Sequence, residues 1–498
     1  MPKSPSILLM MCDQLTASML SVYGGPVATP NLDRLAARGV RFDNATCPTP
    51  FCSPSRASLI TGLYPHTHGI RTNVNSRDYP AIARRQTVHD EGILRSDVTT
   101  DRILHAAGYR THHHGKWHLL DDDLPYYPDM YTEHGAYAEE MFEEFARVRQ
   151  RPRDAWMDWY DWALPTTRTP AFERAVASVP QDWQGRHYRD FLGKMGRLEL
   201  PEEKTFDHRV ADHTIAALEA VGDAPFSITC SFNWPHDPNV APGAEYDAID
   251  PADMTRAPNW SHLEPRFEND LSRAIVTGLG ETGAREFLRI YTACVQFIDR
   301  QVGRVLDALE ASGRAEDTVV VFTADHGDMA GGHGMVWKST TAFYDEIVRV
   351  PLIIAGPGVT ERGASGREVS LCDLMPTLLE LTGQETPSEC QGHSLVPDLT
   401  GGAVPDDDPG WRLSERLAVA PDHARAPHPG MAGSFMLRGH GMKYIRYADG
   451  GEYLYDLLHD PGETSNRTEM PEASHDLNRC REALDQVLTE TEWPAESA

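Results

Sequence analysis

Short apolar runs with almost no polar interruption recur along this chain, at residues 7–12, 226–232, 318–323 and 351–355. A strand that shows one face to water alternates apolar and polar side chains, so a run without alternation must be covered on both faces. Between these runs lie stretches with helical spacing, at 31–38, 210–221 and 287–309, the first opened by Thr29-Pro30 with proline in the first turn. The alternation predicts an α/β fold, a large and mostly parallel central sheet sandwiched by helices. At 498 residues the chain exceeds one ordinary core, which predicts one big domain with a smaller appendage. In such sheets ligands bind outside the carboxyl ends of the strands, so polar residues just past positions 12 and 323 carry extra weight.

Composition narrows the partners. Apolar residues make up 40% and charged residues 24%, as in globular enzymes. A net charge of −28 repels nucleic acid and anionic membrane alike, and it obliges any anionic substrate to find a local basic pocket. The run at 7–12 stops at Asp13, too short for a signal core or a membrane span. None of the eight cysteines forms a C-x-x-C pair, and Cys12, Cys230 and Cys294 sit in apolar runs as small hydrophobes. A reducing cytoplasm is the expected setting, with homo-oligomerisation left open.

Cys52-Ser53-Pro54-Ser55-Arg56 reads as a helix entrance with its arginine one turn on. Positions i and i+4 share a helix face, so Arg56 is expected to project toward the volume occupied by Cys52. The exposed N–H groups of a helix N-terminus favour an anion there. Alone, the pentapeptide is equally a buried thiol beside a salt-bridging arginine.

With its continuation Thr61-Gly62-Leu63-Tyr64-Pro65-His66-Thr67-His68-Gly69, it closely resembles the modification signature of the type I sulfatases, members of the alkaline phosphatase superfamily. The resemblance implies that Cys52 becomes formylglycine, through transient contact with a formylglycine-generating enzyme. It also implies hydrolysis of a small-molecule sulfate ester.

Asp13 follows the first apolar run, and Asp325-His326-Gly327 follows the run at 318–323. Either aspartate alone is most often a turn former, but together they supply three potential ligands for one cation from two strand ends. They resemble the sulfatase metal site, whose ion also contacts the modified residue at position 52. Many members carry paired aspartates where this chain has Asp13-Gln14, and asparagine where it has His326. The set therefore looks closer to choline sulfatases and phosphonate monoester hydrolases. One divalent cation is expected, calcium first, with manganese or magnesium as competitors because an imidazole softens the site. Cys12, facing away from Asp13 on a strand, is expected in the core.

Lys116-Trp117-His118 follows a stretch that reads as a strand, which would place Lys116 and His118 on one face. Two adjacent basic groups on a surface are unremarkable, but in so acidic a chain they suit an anion. They resemble the family pair that contacts formylglycine and sulfate. His112, His113 and His114 cannot all point at one ion from a strand, so they read as structural. His236, after the run at 226–232, stands where the family carries a substrate-binding histidine, and Lys338 lies in a block nearly as distinctive as the cysteine signature. His333, between two glycines, reads as loop packing.

The resemblance continues at 439–447, 453–457 and 460–466, implying a small C-terminal antiparallel sheet and its exit turn. Residues 1–384 are the expected catalytic unit and 385–498 a linker with a small α+β unit. Residues 121–201, rich in Trp, Tyr and Met, match no motif and are expected near the pocket mouth, where specificity would lie. Within the family chemistry, Cys52, Arg56, Lys116, His118, His236 and Lys338 are the catalytic candidates, and Asp13, Cys52, Asp325 and His326 the metal ligands. Two rival functions stay open, a phosphonate monoester or phosphodiester hydrolase with crossover activity, and a sulfatase-like binding protein. The second predicts loss of site residues, and none is missing.

Overall fold

The computed structural model describes residues 4–73, 93, 97–119, 165–179, 192–268, 270–339, 341–404, 408–417 and 433–491. The aromatic-rich stretch expected to shape specificity falls largely at 120–164 and 180–191, outside the described residues. Thr340, in the Lys338 block, lies outside them too.

The apolar runs do form the central strands. The main sheet comprises β1 (Ser6–Asp13), β2 (Gly39–Thr46), β3 (Arg110–Gly115), β4 (Phe226–Pro235), β5 (Thr318–Ala324), β6 (Arg349–Val350), β7 (Leu352–Ala355) and β8 (Gly363–Ser370), in the order β8-β2-β7-β5-β1-β4-β3 with β6 paired to β2. Every side chain of β1, β4 and β5 is buried, which is why these strands lack alternation. The sheet is mixed: β3, β4, β1 and β5 run parallel, whereas β7 runs antiparallel to both β5 and β2. The chain between β5 and β7, residues 325–351, passes through the site before β7 returns antiparallel along β5, from Leu352 opposite Thr323.

Helices flank the sheet. Leu271–Ala311, broken at Gly280 (φ 60°), packs with Phe206–Ala220, Pro170–Ser178 and Pro30–Ala36. Cys52–Thr61 packs with Thr100–Ala106 and Leu374–Thr382. Cys12, Cys230 and Cys294 lie in the core, as their apolar neighbours suggest. The expected C-terminal sheet is present as four antiparallel strands, β9 (Trp411–Arg416), β10 (Ser434–Gly439), β11 (Met442–Arg446) and β12 (Glu452–Asp456), in sequence order, with the helix Ser474–Glu490 after them. No helix among the described residues is long and apolar enough to cross a membrane.

Because β3, β4, β1 and β5 are neighbours and parallel, their carboxyl ends lie along one edge of the sheet. Lys116, His236, Asp13 and Asp325 sit at those four ends. The helix that begins at Cys52 brings its N-terminus to the same edge.

Candidate active site

The nucleophile helix is buried almost all round, with only Ile60 of its ten residues outside the buried class, so packing fixes the direction of both Cys52 and Arg56. Its N-cap, Phe51, has no capping side chain. The Asn73 carboxamide oxygen serves instead, accepting from the Ser53 N–H at 3.1 Å, while Asn73 Nδ2 lies 3.9 Å from Cys52 Sγ. At the other end Gly62, in the left-handed region at φ 68°, terminates the helix.

Around Cys52 Sγ lie Lys338 Nζ at 3.1 Å, His326 Nε2 at 3.3 Å, Asp13 Oδ1 at 3.6 Å and Lys116 Nζ at 3.9 Å. His118 is hydrogen-bonded to the same sulfur. Burial alone would raise the thiol pKa, but Lys116, Lys338, His326 and the His118 bond outweigh it and hold the thiol well below its ordinary value. His236 Nε2 is 3.2 Å from Lys338 Nζ and 3.8 Å from Asp13 Oδ1. All six catalytic candidates and all four candidate ligands thus meet in one place.

Two details differ from the expectations. Lys116 and His118 do not lie on a strand face, because β3 ends at Gly115, whose φ of 94° turns the chain out of the sheet. His118 itself adopts φ 58°, and this turn brings both side chains to Cys52. Arg56 does not spend its guanidinium on the sulfur. Nε donates to Asp325 Oδ2 at 2.7 Å, Nη2 to Asp13 Oδ2 at 3.2 Å, and Nη1 to Lys116 O and Ser231 Oγ at 2.8 Å each.

Asp13, Cys52, Asp325 and His326 offer ligand atoms that all lie within 4.8 Å of one another, the arrangement a single cation requires. Asp13 is the lower-titrating carboxyl. Burial and Cys52 push it up, but Lys116, His236 and Arg56 hold it below the usual carboxylate range, whereas burial and Asp13 itself push Asp325 up. The residues fit a divalent cation. Two fully buried carboxylates, Asp13 and Asp325, face one another with the Arg56 guanidinium between them. His326 Nδ1 lies 2.9 Å from Gly327 O, which assigns the hydrogen to Nδ1 and leaves the Nε2 lone pair for the cluster.

The histidine run behaves as structure. His112, His113 and His114 are all buried, and His112 and His114 stack along one face with His213 beside them. His333 stacks on Tyr344 with ring centroids 3.5 Å apart. Sequence reasoning missed four polar residues at the site, Asn73, Asp207, Asp237 and Asp328. Asp207, fully buried, accepts from the N–H groups of Asn233 and Trp234 at 2.6 and 2.9 Å and so holds the segment that leads to His236. Asp328 carried a signal, since it stands two residues past His326. Asn73, in an unpatterned loop, carried none.

Comparison with known proteins agrees with this geometry. A choline-sulfatase of Rhizobium meliloti is 30% identical, with 94% of this chain and 83% of that protein covered. A Δ4,5-hexuronate-2-O-sulfatase of Bacteroides thetaiotaomicron is 28% identical, with 98% and 89% covered. The crystal structure of a phosphonate monoester hydrolase of Agrobacterium radiobacter shares the fold, with a TM-score of 0.72 at 24% identity, covering 98% of this chain and 96% of that one. A C-terminal family described as N-sulphoglucosamine sulphohydrolase matches residues 331–490. Since the sulfatase family model itself matches residues 5–384, the stretch that holds every residue of the site, this chain belongs to the sulfatase family.

Proposed function

We propose that the protein hydrolyses sulfate monoesters with a formylglycine made from Cys52 and one divalent cation held by Asp13, Asp325, His326 and the residue at position 52. The observation that carries the reading is the set of basic groups on one buried atom, the Lys338 and Lys116 ammonium groups and the His118 imidazole around Cys52 Sγ, with the candidate ligands beneath. Sγ marks the place that the oxygen of formylglycine would take.

Charge arithmetic favours an anionic substrate only after modification. As a thiolate, Cys52 joins Asp13 and Asp325 in balancing Arg56, Lys116 and Lys338. A neutral aldehyde in its place, with a divalent cation added, leaves the pocket positive. When bound, the cation lowers the pKa of a coordinated hydroxyl, and a hydrated aldehyde carries two hydroxyls, one to attack and one through which sulfate is expelled.

The side chains divide the remaining work. Arg56 orients both carboxylates and is a positioning residue rather than a sulfate contact. Lys116 and Lys338 stabilise charge that develops on the sulfuryl oxygens. His118, whose pKa burial lowers, is neutral and suited to take the proton that releases sulfate. His236 Nδ1 lies 2.6 Å from Asp237 O, which turns Nε2 toward Lys338 and the leaving-group side.

Calcium is the first expectation for the cation, with manganese favoured over its usual rank by the His326 imidazole. A catalytic unit at 1–384, a C-terminal unit at 385–498, a formylglycine-generating enzyme as transient partner and a reducing compartment complete the proposal. The compartment is supported by eight cysteines that form no disulfide among the described residues. A phosphonate monoester is the second substrate reading, favoured by Gln14 and His326 in place of the commoner aspartate and asparagine. Purified protein assayed on matched sulfate monoesters, phosphonate monoesters and phosphodiesters decides between them. Higher kcat/KM on the sulfates is the expected result, and higher kcat/KM on phosphonates reverses the order.

A further inference from the structure

The two cationic groups on the leaving-group side come from separate loops. His236 follows β4 and Lys338 lies in the loop after β5, yet Nε2 and Nζ are held 3.2 Å apart. One carboxamide joins those loops. Gln14 Nε2 donates to Asp328 Oδ2 at 2.7 Å and to Asp237 Oδ1 at 3.3 Å. Two carboxylate oxygens facing the same atom assign it as the nitrogen, which fixes the orientation of the amide. Asp237 is the residue after His236. Asp328, fully buried, accepts through Oδ1 from the N–H groups of Ala330 at 2.7 Å and Trp337 at 3.1 Å, and Trp337 precedes Lys338.

The backbone at this junction is unusual for its residue types. Gln14, Ala330 and Trp337 all lie in the left-handed region, at φ 63°, 43° and 58°. Non-glycine residues persist there only where surrounding contacts over-determine them. Here those contacts are the Gln14 and Asp328 hydrogen bonds, with Tyr291 Oη donating to Gln14 O at 3.1 Å from the long helix.

We propose that Gln14 and Asp328 form a brace that sets the separation of His236 and Lys338, and so determines how well the enzyme handles poor leaving groups. Neither the Gln14 carboxamide nor the Asp328 carboxylate is among the groups that surround Cys52 Sγ, so both act as positioning residues. The inference rests on the sulfatase reading above, because only there do His236 and Lys338 face a departing alcohol. A loosened brace leaves nucleophile and cation in place but misplaces the groups that support the leaving oxygen.

The test uses full-length protein and a series of aryl sulfates from nitrophenyl to methoxyphenyl sulfate. In Gln14→Met, which keeps chain length but not the hydrogen bonds, the loss of kcat should grow from about threefold on nitrophenyl to about a hundredfold on methoxyphenyl sulfate, a sizeable part of what a positioned acid contributes. KM, bound metal and aldehyde content should stay at wild-type levels. Asp328→Asn, whose NH2 must face a donor on one side, either Gln14 or the Ala330 and Trp337 N–H groups, should give the same steeper dependence on leaving-group pKa, which a merely destabilised protein would not. A uniform loss across the series, a loss confined to KM, or no loss in folded protein overturns the brace. Metal loss in Gln14→Met with a normal series in Asp328→Asn also overturns it. Failure of the sulfatase reading would look different, as wild-type protein inert toward the whole series.

Discussion

Lys338 Nζ lies 3.1 Å from Cys52 Sγ across 286 residues of chain, and the same ammonium is 3.2 Å from His236 Nε2 and 3.4 Å from His326 Nε2. Burial works against its charge, but Cys52, Asp13 and Asp237 hold the proton on and raise its pKa above the ordinary lysine value. Removing a preorganised donor of this kind typically costs about 10²–10³ in kcat. Lys338→Met, compared with wild type at equal aldehyde content, is expected to fall by that factor on an aryl sulfate. Steady-state activity within threefold of wild type would refute a role at the reacting centre.

Modification of Cys52 is the second expectation. The thiol is completely buried beneath two lysines, so it has the environment of a reaction centre rather than of a packing residue. Active protein should carry an aldehyde at position 52, seen in its intact mass and by reaction with a hydrazide. Cys52→Ala should fold normally and lose turnover. Fully active protein with an unmodified thiol would sink the mechanism.

The fold was legible where burial is two-sided. Residues 7–12, 226–232 and 318–323 became fully buried parallel strands, and the end of each run pointed to a residue of the site. The reversal of β7 was not legible, because an apolar run carries no direction. Lys116 and His118 were found for a reason that the structure replaces: not a shared strand face but the turn at Gly115 delivers them. Arg56 has the correct spacing from Cys52, yet a buried guanidinium goes to the nearest carboxylates, which lie in distant sequence. Asn73 serves a backbone N–H group, and a demand of that kind leaves no mark in composition or period.

The cation should be removable and its loss should abolish activity. Asp13 and Asp325 are both fully buried, and Arg56 reaches both of them while Lys116 reaches Asp13. Dialysis against a chelator is expected to abolish turnover and to lower Tm, since a ligand bound only by the native state stabilises it. Calcium or manganese should restore both. Asp325→Asn should weaken metal binding measured by calorimetry, because it takes a carboxylate from the set. Active protein without near-stoichiometric divalent metal by elemental analysis would contradict the assignment.

A pH-dependent clamp joins the region after the nucleophile helix to the C-terminal sheet. His66 Nδ1 is 2.8 Å from Glu415 Oε2 and His66 Nε2 is 2.8 Å from Thr491 O. Both ring nitrogens face acceptors, so both carry hydrogen and the ring is an imidazolium. Burial lowers the His66 pKa, but the Glu415 bond and charge outweigh it and raise it above 6.5. The native state therefore binds the extra proton, and this contribution is full below the unfolded value and lost as pH rises through the folded one. His66→Gln leaves Glu415 without its cation and should cost about 3–5 kcal/mol below pH 6.5, as breaking a buried pair does. Urea unfolding at acid and alkaline pH checks it: the gap between wild type and variant should narrow at alkaline pH, and a gap independent of pH would mean a neutral ring.

The two histidines nearest the chemistry should fail in different ways. His118 is hydrogen-bonded to Cys52, and desolvation lowers its pKa, which favours the neutral form a base requires. His236 comes from the end of β4, is partly exposed, and meets Lys338 Nζ at 3.2 Å. A positioned acid contributes about 10²–10⁴-fold, and activated leaving groups need little of it. His236→Ala should therefore slow alkyl sulfates far more than nitrophenyl sulfate. His118→Ala should instead complete one turnover and stall, keeping sulfate covalently attached at position 52. Intact-mass analysis of each variant after brief exposure to substrate separates the roles: the sulfate increment should be present in His118→Ala and absent in His236→Ala, and the opposite pattern would exchange the two assignments.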